Sequence, residues 1–570
     1  MFVAKNSRIA VVEPHTFDQT RNLVALGFSG TMLTSLPQDL FQNLKALSTL
    51  TLTNNKLEVL QPSLLTPLVD LYTLDLSRNL LTSLPEDAFQ GLEKLGQLML
   101  QRNAIRKLYS STFRGLSHLK SLFLQQNNLT DIPAGIFDDL VNLEVLHLQD
   151  NKITQLPANL FSNLPMLKKL YLSNNRLSLL PGAIFLNLPN LTHISLYENQ
   201  LSRLMPGTFG PMALQELWLY DNMLTHLEEN VFHNLTEIRL LVLSRNRIQH
   251  ISPGVGAFEG LPDITTIEIS GTNVTSLPVG VFKDLHNLQK LVLKSNKIHN
   301  LENGLFDDLK KLQELHLHMN EISSIEEGTF DNLEKLSLLH LGKNNLISVS
   351  TSLFSKLKGL TIFRLYGNQL TALPDGIFDH LPDLAEIAFK LTKLLLDHNL
   401  LTELQKLDLS SNQFSSISAE FFDGLEKLTD LNLQDNNIES IKQEDFEKLQ
   451  SLSSLKLGKN KLQSLPGDVF DALPKLSKLY LNKNPWQCDC NLLSFFEWMK
   501  SNEEKIKSKP PEVCESPKNL QNQSIISLTE EQLCLTTSPT STPLLTIAIG
   551  LIYTEFKYSS SLKCYSSKLK

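Results

Sequence analysis

The sequence predicts a curved α/β solenoid of about twenty stacked leucine-rich coils. A parallel sheet should line its concave side, an irregular or briefly helical surface its convex side, and a disulfide-stapled cap its C-terminal end. Three observations predict this. The pattern L-x-x-L-x-L-x-x-N-x-L-x-x-L, complete in LSTLTLTNNKLEVL at 47–60, recurs through most of the 570 residues. Its asparagine returns every 24 residues from Asn55 through Asn79, Asn103, Asn127, Asn151 and Asn175 to Asn199, and with few breaks continues to Asn484. All five cysteines follow residue 487, after a cysteine-free run.

The coil comes first. LxxLxL is a short strand whose leucines point inward, and one such coil cannot bury its own apolar face. Stacking completes the core, so the coils must form an array. The asparagine stands where the chain leaves the strand, and its amide can pair backbone groups that the turn would otherwise bury unsatisfied. Thr31 and Thr272 hold this place in two coils and should be weaker rungs. The second half reads LPxxxFxxL, with Phe41, Phe89, Phe113, Phe137, Phe161, Phe185 and Phe470 as examples. The phenyl ring fills the outer core, and the proline breaks regular structure. Strands about 4.8 Å apart give the sheet a path of about 90 Å.

Three departures interrupt residues 1–484, the span assigned to the solenoid. Ile9, Val12 and Phe17 fit the second half of a coil, so the chain is expected to open in mid-repeat without a preceding strand, lacking an N-terminal cap and a secretory signal. HISPGVGAFEGL at 250–261 carries two extra residues, expected to bulge outside the sheet. From Asn368 to Asn412 the spacing is 44 rather than 48, and 384–407 is either a kink or a mis-joined exon.

Residues 485–535 form the expected cap. Asn484 runs directly into Pro485, Trp486, Cys488, Asp489 and Cys490, and LLSFFEWMK follows at 492–500. Leu492, Leu493, Phe496 and Trp498 suit the inner side of a short helix. Trp486, Phe496 and Trp498 would seal the open apolar end of the array, and so small a unit needs staples. The Cys-x-Cys spacing is too close for an ordinary structural zinc site. Two disulfides imply an oxidising compartment. MFVAKNSRIAVVEP, however, contains no signal-length apolar run, so either the protein is cytosolic or its start is missing.

At NPWQCDC the chain resembles the extracellular leucine-rich repeat family with a cysteine-rich C-terminal flank, a likeness spanning about residues 9–535. The resemblance implies disulfides Cys488–Cys514 and Cys490–Cys534. ISLYENQLSRLMPGTFGPMALQELWLYDN and LVLSRNRIQHISPG resemble a single-pass cell-surface member. NPWQCDC and LTEEQLC are similar to a secreted member, a regulatory subunit that carries and stabilises a carboxypeptidase catalytic chain.

N-x-S/T acceptors stand at Asn128, Asn190, Asn234, Asn273 and Asn522, expected glycosylation sites in a secreted chain. Residues 536–570 comprise a Ser/Thr/Pro linker and an apolar tail. The run 544–553 is too short to span a bilayer, which takes about 20 apolar residues. It is a truncated membrane anchor, a wrong terminal exon or a true secreted tail. Cys564 has no assigned role.

Net charge −8 gives no general attraction to nucleic acid or anionic lipid. The sequence lacks G-x-S-x-G, H-E-x-x-H and a phosphate-binding glycine loop, so no enzymatic activity, cofactor or metal is assigned. Reading strand positions along the concave side gives Phe123, His147, Tyr171, Tyr197, Trp218 and Tyr220 as the candidate protein-binding patch, since large amphipathic rings are not needed there for the core. The plain alternative is ordinary exposed spacing between glycans. His316, His318 and His340 share a face and raise the question of weak metal binding or pH sensing. Lys168, Lys169 and Arg364 occupy other concave positions. The expected function is extracellular recognition or adhesion of a protein or matrix component, at the cell surface with a single-pass anchor or secreted. The alternative is the carboxypeptidase-carrying subunit.

Overall fold

The structure, a computed structural model, describes residues 1–251, 256–370, 373–374, 376–388, 401 and 403–534. Each leucine-rich segment folds as a short strand because alternate leucines can all enter the core only in extended backbone. Among the described residues, 21 such strands join in one parallel sheet, from Phe2–Lys5 to Lys478–Tyr480. Equivalent residues pair directly, as in Leu50 with Leu74 and Leu74 with Leu98. The result is a curved solenoid with a single continuous core.

The convex half is built from turns, with 3-10 helices at Ser352–Phe354, Ala419–Phe422 and Gln443–Phe446. Its phenylalanines form a continuous column. From Phe89 to Phe354 every successive pair of rings is in contact, with centroids 5.6–6.5 Å apart. One ring per coil thereby supplies the outer wall that leucine alone would leave under-filled.

The asparagines form a hydrogen-bonded ladder. Asn175 Nδ2 donates to the carbonyls of Leu148 and Leu172 at 3.0 and 3.1 Å, and its Oδ1 accepts from the Ile153 N–H at 3.0 Å. Each rung therefore ties two coils. Thr272 instead donates its N–H and hydroxyl to Asn296 Oδ1, and its side chain offers no amide to the carbonyls of its own and the preceding coil. It is a weaker rung.

Two sequence expectations are corrected. The first coil does have a strand: Phe2–Lys5 pairs in register with Ala25–Ser29, Phe2 opposite Leu26 and Ala4 opposite Phe28. Phe2 and Ala4 stand where leucines are usual, which hid it. Phe2 packs on Phe17 and Phe28, with centroids 5.8 and 5.7 Å away. In the cap, α1 (Leu493–Ser501) buries Phe495, Phe496 and Met499, with Leu492 just before it. Leu493 and Trp498 are only partly buried. Positions 492, 495, 496 and 499 share one helical face; Leu492 and Phe496 stand on it as expected, while Phe495 and Met499 take the places expected of Leu493 and Trp498. Trp498 packs on Phe470 and Phe495 from the margin, at 5.1 and 5.8 Å.

The irregular coils leave the sheet unbroken. Leu240–Val242 pairs with Thr266–Glu268 across the coil with extra residues, of which 252–255 lie outside the described residues. Glu386–Ala388 pairs with Lys406–Asp408, so the sheet continues in register across the short coil. Residues 389–400 and 402 of that coil lie outside the described residues, as do 535–570 with the tail and Cys564.

Two disulfides staple the cap, Cys488–Cys514 and Cys490–Cys534, with Cα atoms 5.7 and 4.6 Å apart. Trp486 is fully buried against Phe495, at 5.7 Å. Its strand Trp486–Gln487 pairs with Cys514–Ser516. The open end of the solenoid is thus closed by aromatic packing held in place by covalent bonds.

Candidate functional site

In-register pairing turns sequence spacing into rows across the concave sheet. One row runs Phe123, His147, Tyr171, Ser195, Trp218, Val242. A second, two residues further along each chain segment, contains Tyr197 and Tyr220. The six candidate residues therefore fall into two adjacent rows, all half-buried. Phe123 stacks on His147 at 4.9 Å, and His147 on Tyr171 at 4.4 Å with nearly parallel rings. Tyr197 stacks on Tyr220 at 4.5 Å, and Trp218 meets Tyr220 edge-on at 6.3 Å.

Sequence reading missed three residues between these stacks. His193 packs on Tyr171 at 5.1 Å. Its Nδ1 lies 3.2 Å from Glu216 Oε2, which also accepts from Trp218 Nε1 at 3.3 Å. Ser195, between Tyr171 and Trp218, is 2% exposed, and its hydroxyl has no hydrogen-bond partner. Reading each strand position as a separate row would have found all three.

The rings set the local electrostatics. Burial holds His147 and His193 below the usual histidine range, outweighing Gln149 beside the first and Glu216 beside the second. Burial, then the Glu216 charge, raises the Tyr171 phenol. Burial, with Tyr197 and Glu198 adding to it, pushes Tyr220 up to about 12. Burial thus disfavours the charged forms of His147, Tyr171, His193 and Tyr220. Arg245 lies over the Tyr220 ring at 5.2 Å while forking onto both carboxylate oxygens of Asp221, at 2.7 and 2.5 Å.

The other concave candidates separate from this patch. Lys168 pairs with Glu144 at 2.7 Å. Lys169 neighbours His193 in register. Arg364 pairs with Glu386 and lines, with Lys406, Asp408, Asp430 and Lys456, a trough of mixed charge. His318 and His340 stack at 3.9 Å rather than pointing at a common centre. His340 Nδ1 accepts the Gly342 N–H and its Nε2 meets Tyr366, while His316 Nε2 meets Glu314. Burial first, then the neighbouring positive charges, brings His318 down to about 4 and His340 to about 3. Among the described residues no group of three or more His, Cys, Asp or Glu is placed to hold a metal. The cysteines of the cap, bonded in pairs, offer no thiolates.

The glycan acceptors lie off the sheet. None of Asn128, Asn190, Asn234, Asn273 and Asn522 belongs to a concave strand. Asn190 Nδ2 donates to the Pro165 carbonyl at 2.8 Å and Asn234 Nδ2 to that of Phe209 at 3.4 Å. No helix among the described residues is long and apolar enough to cross a membrane.

The family model described as leucine rich repeat matches residues 3–57, 69–129, 117–177, 166–220, 212–274, 262–322, 286–346, 311–370, 402–457 and 427–485. No curated protein matches the chain. Among solved structures, the chain is similar to Drosophila Toll in two structures of the Toll–Spatzle complex. In the glycosylated form the identity is 20%, the TM-score 0.57, and the match covers 92% of this chain and 85% of that one. In the other the values are 21%, 0.53 and 92%, and the match spans only 62% of the length of that chain. A leucine-rich repeat protein of Leptospira interrogans is 23% identical with TM-score 0.52, covering 82% of this chain and 100% of that one. At such identities the likeness is one of fold.

Proposed function

The chain belongs to the leucine-rich repeat family, and from that premise we propose that it is a non-catalytic extracellular recognition protein whose concave sheet binds a protein or matrix component. One observation carries the reading: two rows of half-buried rings lie along the concave side over a core already filled by leucine and isoleucine. Rings immobilised by stacking offer large contact area at little entropic cost, the property of interface anchors. An open sheet also suits a macromolecule better than a small substrate. The paired flank cysteines favour an oxidising compartment, hence a secreted or cell-surface protein. The related solenoid in the Toll–Spatzle structures is itself in complex with a named partner, which fits this use of the fold.

The experiment is cross-linked capture by the full chain from conditioned medium and solubilised cell surfaces, followed by titration of each captured partner. Tyr171→Ser with Tyr197→Ser should weaken binding about tenfold or more, and the exposed Lys45→Ser should leave it unchanged. Equal binding by both variants would sink the concave-face reading. The flank stretches NPWQCDC and LTEEQLC favour a second reading, a non-catalytic subunit of a carboxypeptidase. Copurification of such a catalytic chain at fixed stoichiometry would support it.

A further inference from the structure

The concave patch sets a carboxylate near an aromatic ring twice, once with a cation of the chain and once without. In the first, Arg245 lies over the Tyr220 ring and forks onto the Asp221 carboxylate. A guanidinium so placed gains both the attraction of the ring face and a bidentate ion pair. In the second the ring is Trp218 and the carboxylate is Glu216, joined by the indole N–H to Oε2 contact of 3.3 Å. No Lys or Arg forms an ion pair with Glu216 among the described residues. Its other partner is His193, which burial keeps below the usual histidine range and which therefore contributes a neutral imidazole.

Some other carboxylates of this face are compensated from within the chain. Glu144 pairs with Lys168, Glu314 with Lys290 and Glu386 with Arg364. Glu216 is half-exposed, at 47% of its side-chain surface, so its charge remains available to a partner. Aromatic rings lie beside it on its own and neighbouring strands. Tyr171 and Trp218 stand in one row on either side of Ser195, which is itself buried. The buried Ser195 hydroxyl has no hydrogen-bond partner. An indole and a phenol beside one carboxylate, both donors on that carboxylate being neutral, favour a basic side chain over an acidic or an apolar one.

We infer that Glu216 and Trp218, flanked by Tyr171, form the receptor for a basic side chain, arginine in particular, presented by the protein partner of the concave face. The inference rests on the recognition role proposed above and adds the chemistry of the partner's anchor. Arginine suits the site better than lysine because its planar guanidinium can stack on the indole while directing two N–H groups at the carboxylate.

The test uses the full chain labelled with 5-fluorotryptophan, which gives one fluorine signal for each of Trp218, Trp486 and Trp498. The Trp218 signal is assigned with Trp218→Phe. The probe is N-acetyl-arginine amide, compared with the citrulline amide, which has nearly the same shape but no charge. The expected result is a saturable shift of Trp218 alone, produced by the arginine amide and at least tenfold weaker with the citrulline amide. Glu216→Gln, which keeps the size and the hydrogen-bonding capacity, should weaken the arginine response at least tenfold without altering the melting temperature. A Trp218 signal that ignores the arginine amide, responds equally to both probes, or responds undiminished in Glu216→Gln would overturn the inference. Those failures would leave the concave-face role standing if Tyr171→Ser with Tyr197→Ser still abolished partner binding. If that pair also had no effect, both readings would fall.

Discussion

Replacing Asn151 and Asn175 together by alanine should destabilise the array by more than the sum of the two single replacements. The reason is a shared carbonyl. Leu148 O accepts the Asn151 amide at 3.1 Å and the Asn175 amide at 3.0 Å. Either single change leaves it one donor. Each single change also strips a buried N–H of its acceptor, Leu129 for Asn151 and Ile153 for Asn175, at about 1–3 kcal/mol. The double change leaves Leu148 O bare within a fully buried residue, adding about 1–3 kcal/mol as coupling. Asn151→Ala with Asn199→Ala is the control. Asn199 donates to the carbonyls of Leu172 and Leu196, neither of which Asn151 serves, so those two effects should add. Long arrays do not unfold as one two-state unit. The assay is therefore native-state hydrogen exchange over residues 145–177, read as opening free energies. Coupling of the neighbouring pair within about 0.5 kcal/mol of zero, the ordinary scatter of additive sites, would refute the shared-carbonyl reasoning.

Thr272→Asn should stabilise its coil by about 1 kcal/mol, restoring amide donors that the threonine rung lacks; native-state hydrogen exchange of that coil checks it, and a lower opening free energy would count against the ladder. Cys490→Ser opens a disulfide spanning 44 residues, worth about 4 kcal/mol by loop-closure entropy; secreted yield should collapse, and normal secretion with an unchanged melting temperature would disprove the staple. His318 and His340 have folded-state values near 4 and 3, below their ordinary 6.5, so the unfolded chain binds protons first as pH falls. Stability should therefore be full above pH 6.5 and decline below it, by up to about 1.4 kcal/mol per pH unit for each group. His340→Gln should flatten urea midpoints between pH 6.5 and 5, and an unchanged slope would show that the stacked pair is not responsible.

Much of the fold was legible because a repeat converts spacing into position. Once Asn55 and Asn79 are recognised as equivalent, Leu50 must stand beside Leu74, and the ladder, phenylalanine column and need for a terminal cap follow from burial and backbone satisfaction. The first strand escaped notice because Phe2 and Ala4 depart from the leucine consensus, although they keep its inward alternation. In the cap, composition indicated a helix against the last coil, but the inward face depended on where α1 begins, so Phe495 and Met499 took places expected of Leu493 and Trp498.

The candidate site divides in the same way. The sequence alone determined that aromatic residues cluster on the concave positions of coils between Phe123 and Tyr220, because strand alternation and the 24-residue period depend only on chain order. The tertiary structure decided how they combine. Curvature and rotamers stack His147 on Tyr171 and Tyr197 on Tyr220, draw His193 and Trp218 onto Glu216, and leave Ser195 low between two rings. They also bury the imidazoles of His318 and His340 among positive charges, which keeps both neutral. Such relations join side chains on different strands and depend on angle as well as distance. A one-dimensional period carries neither.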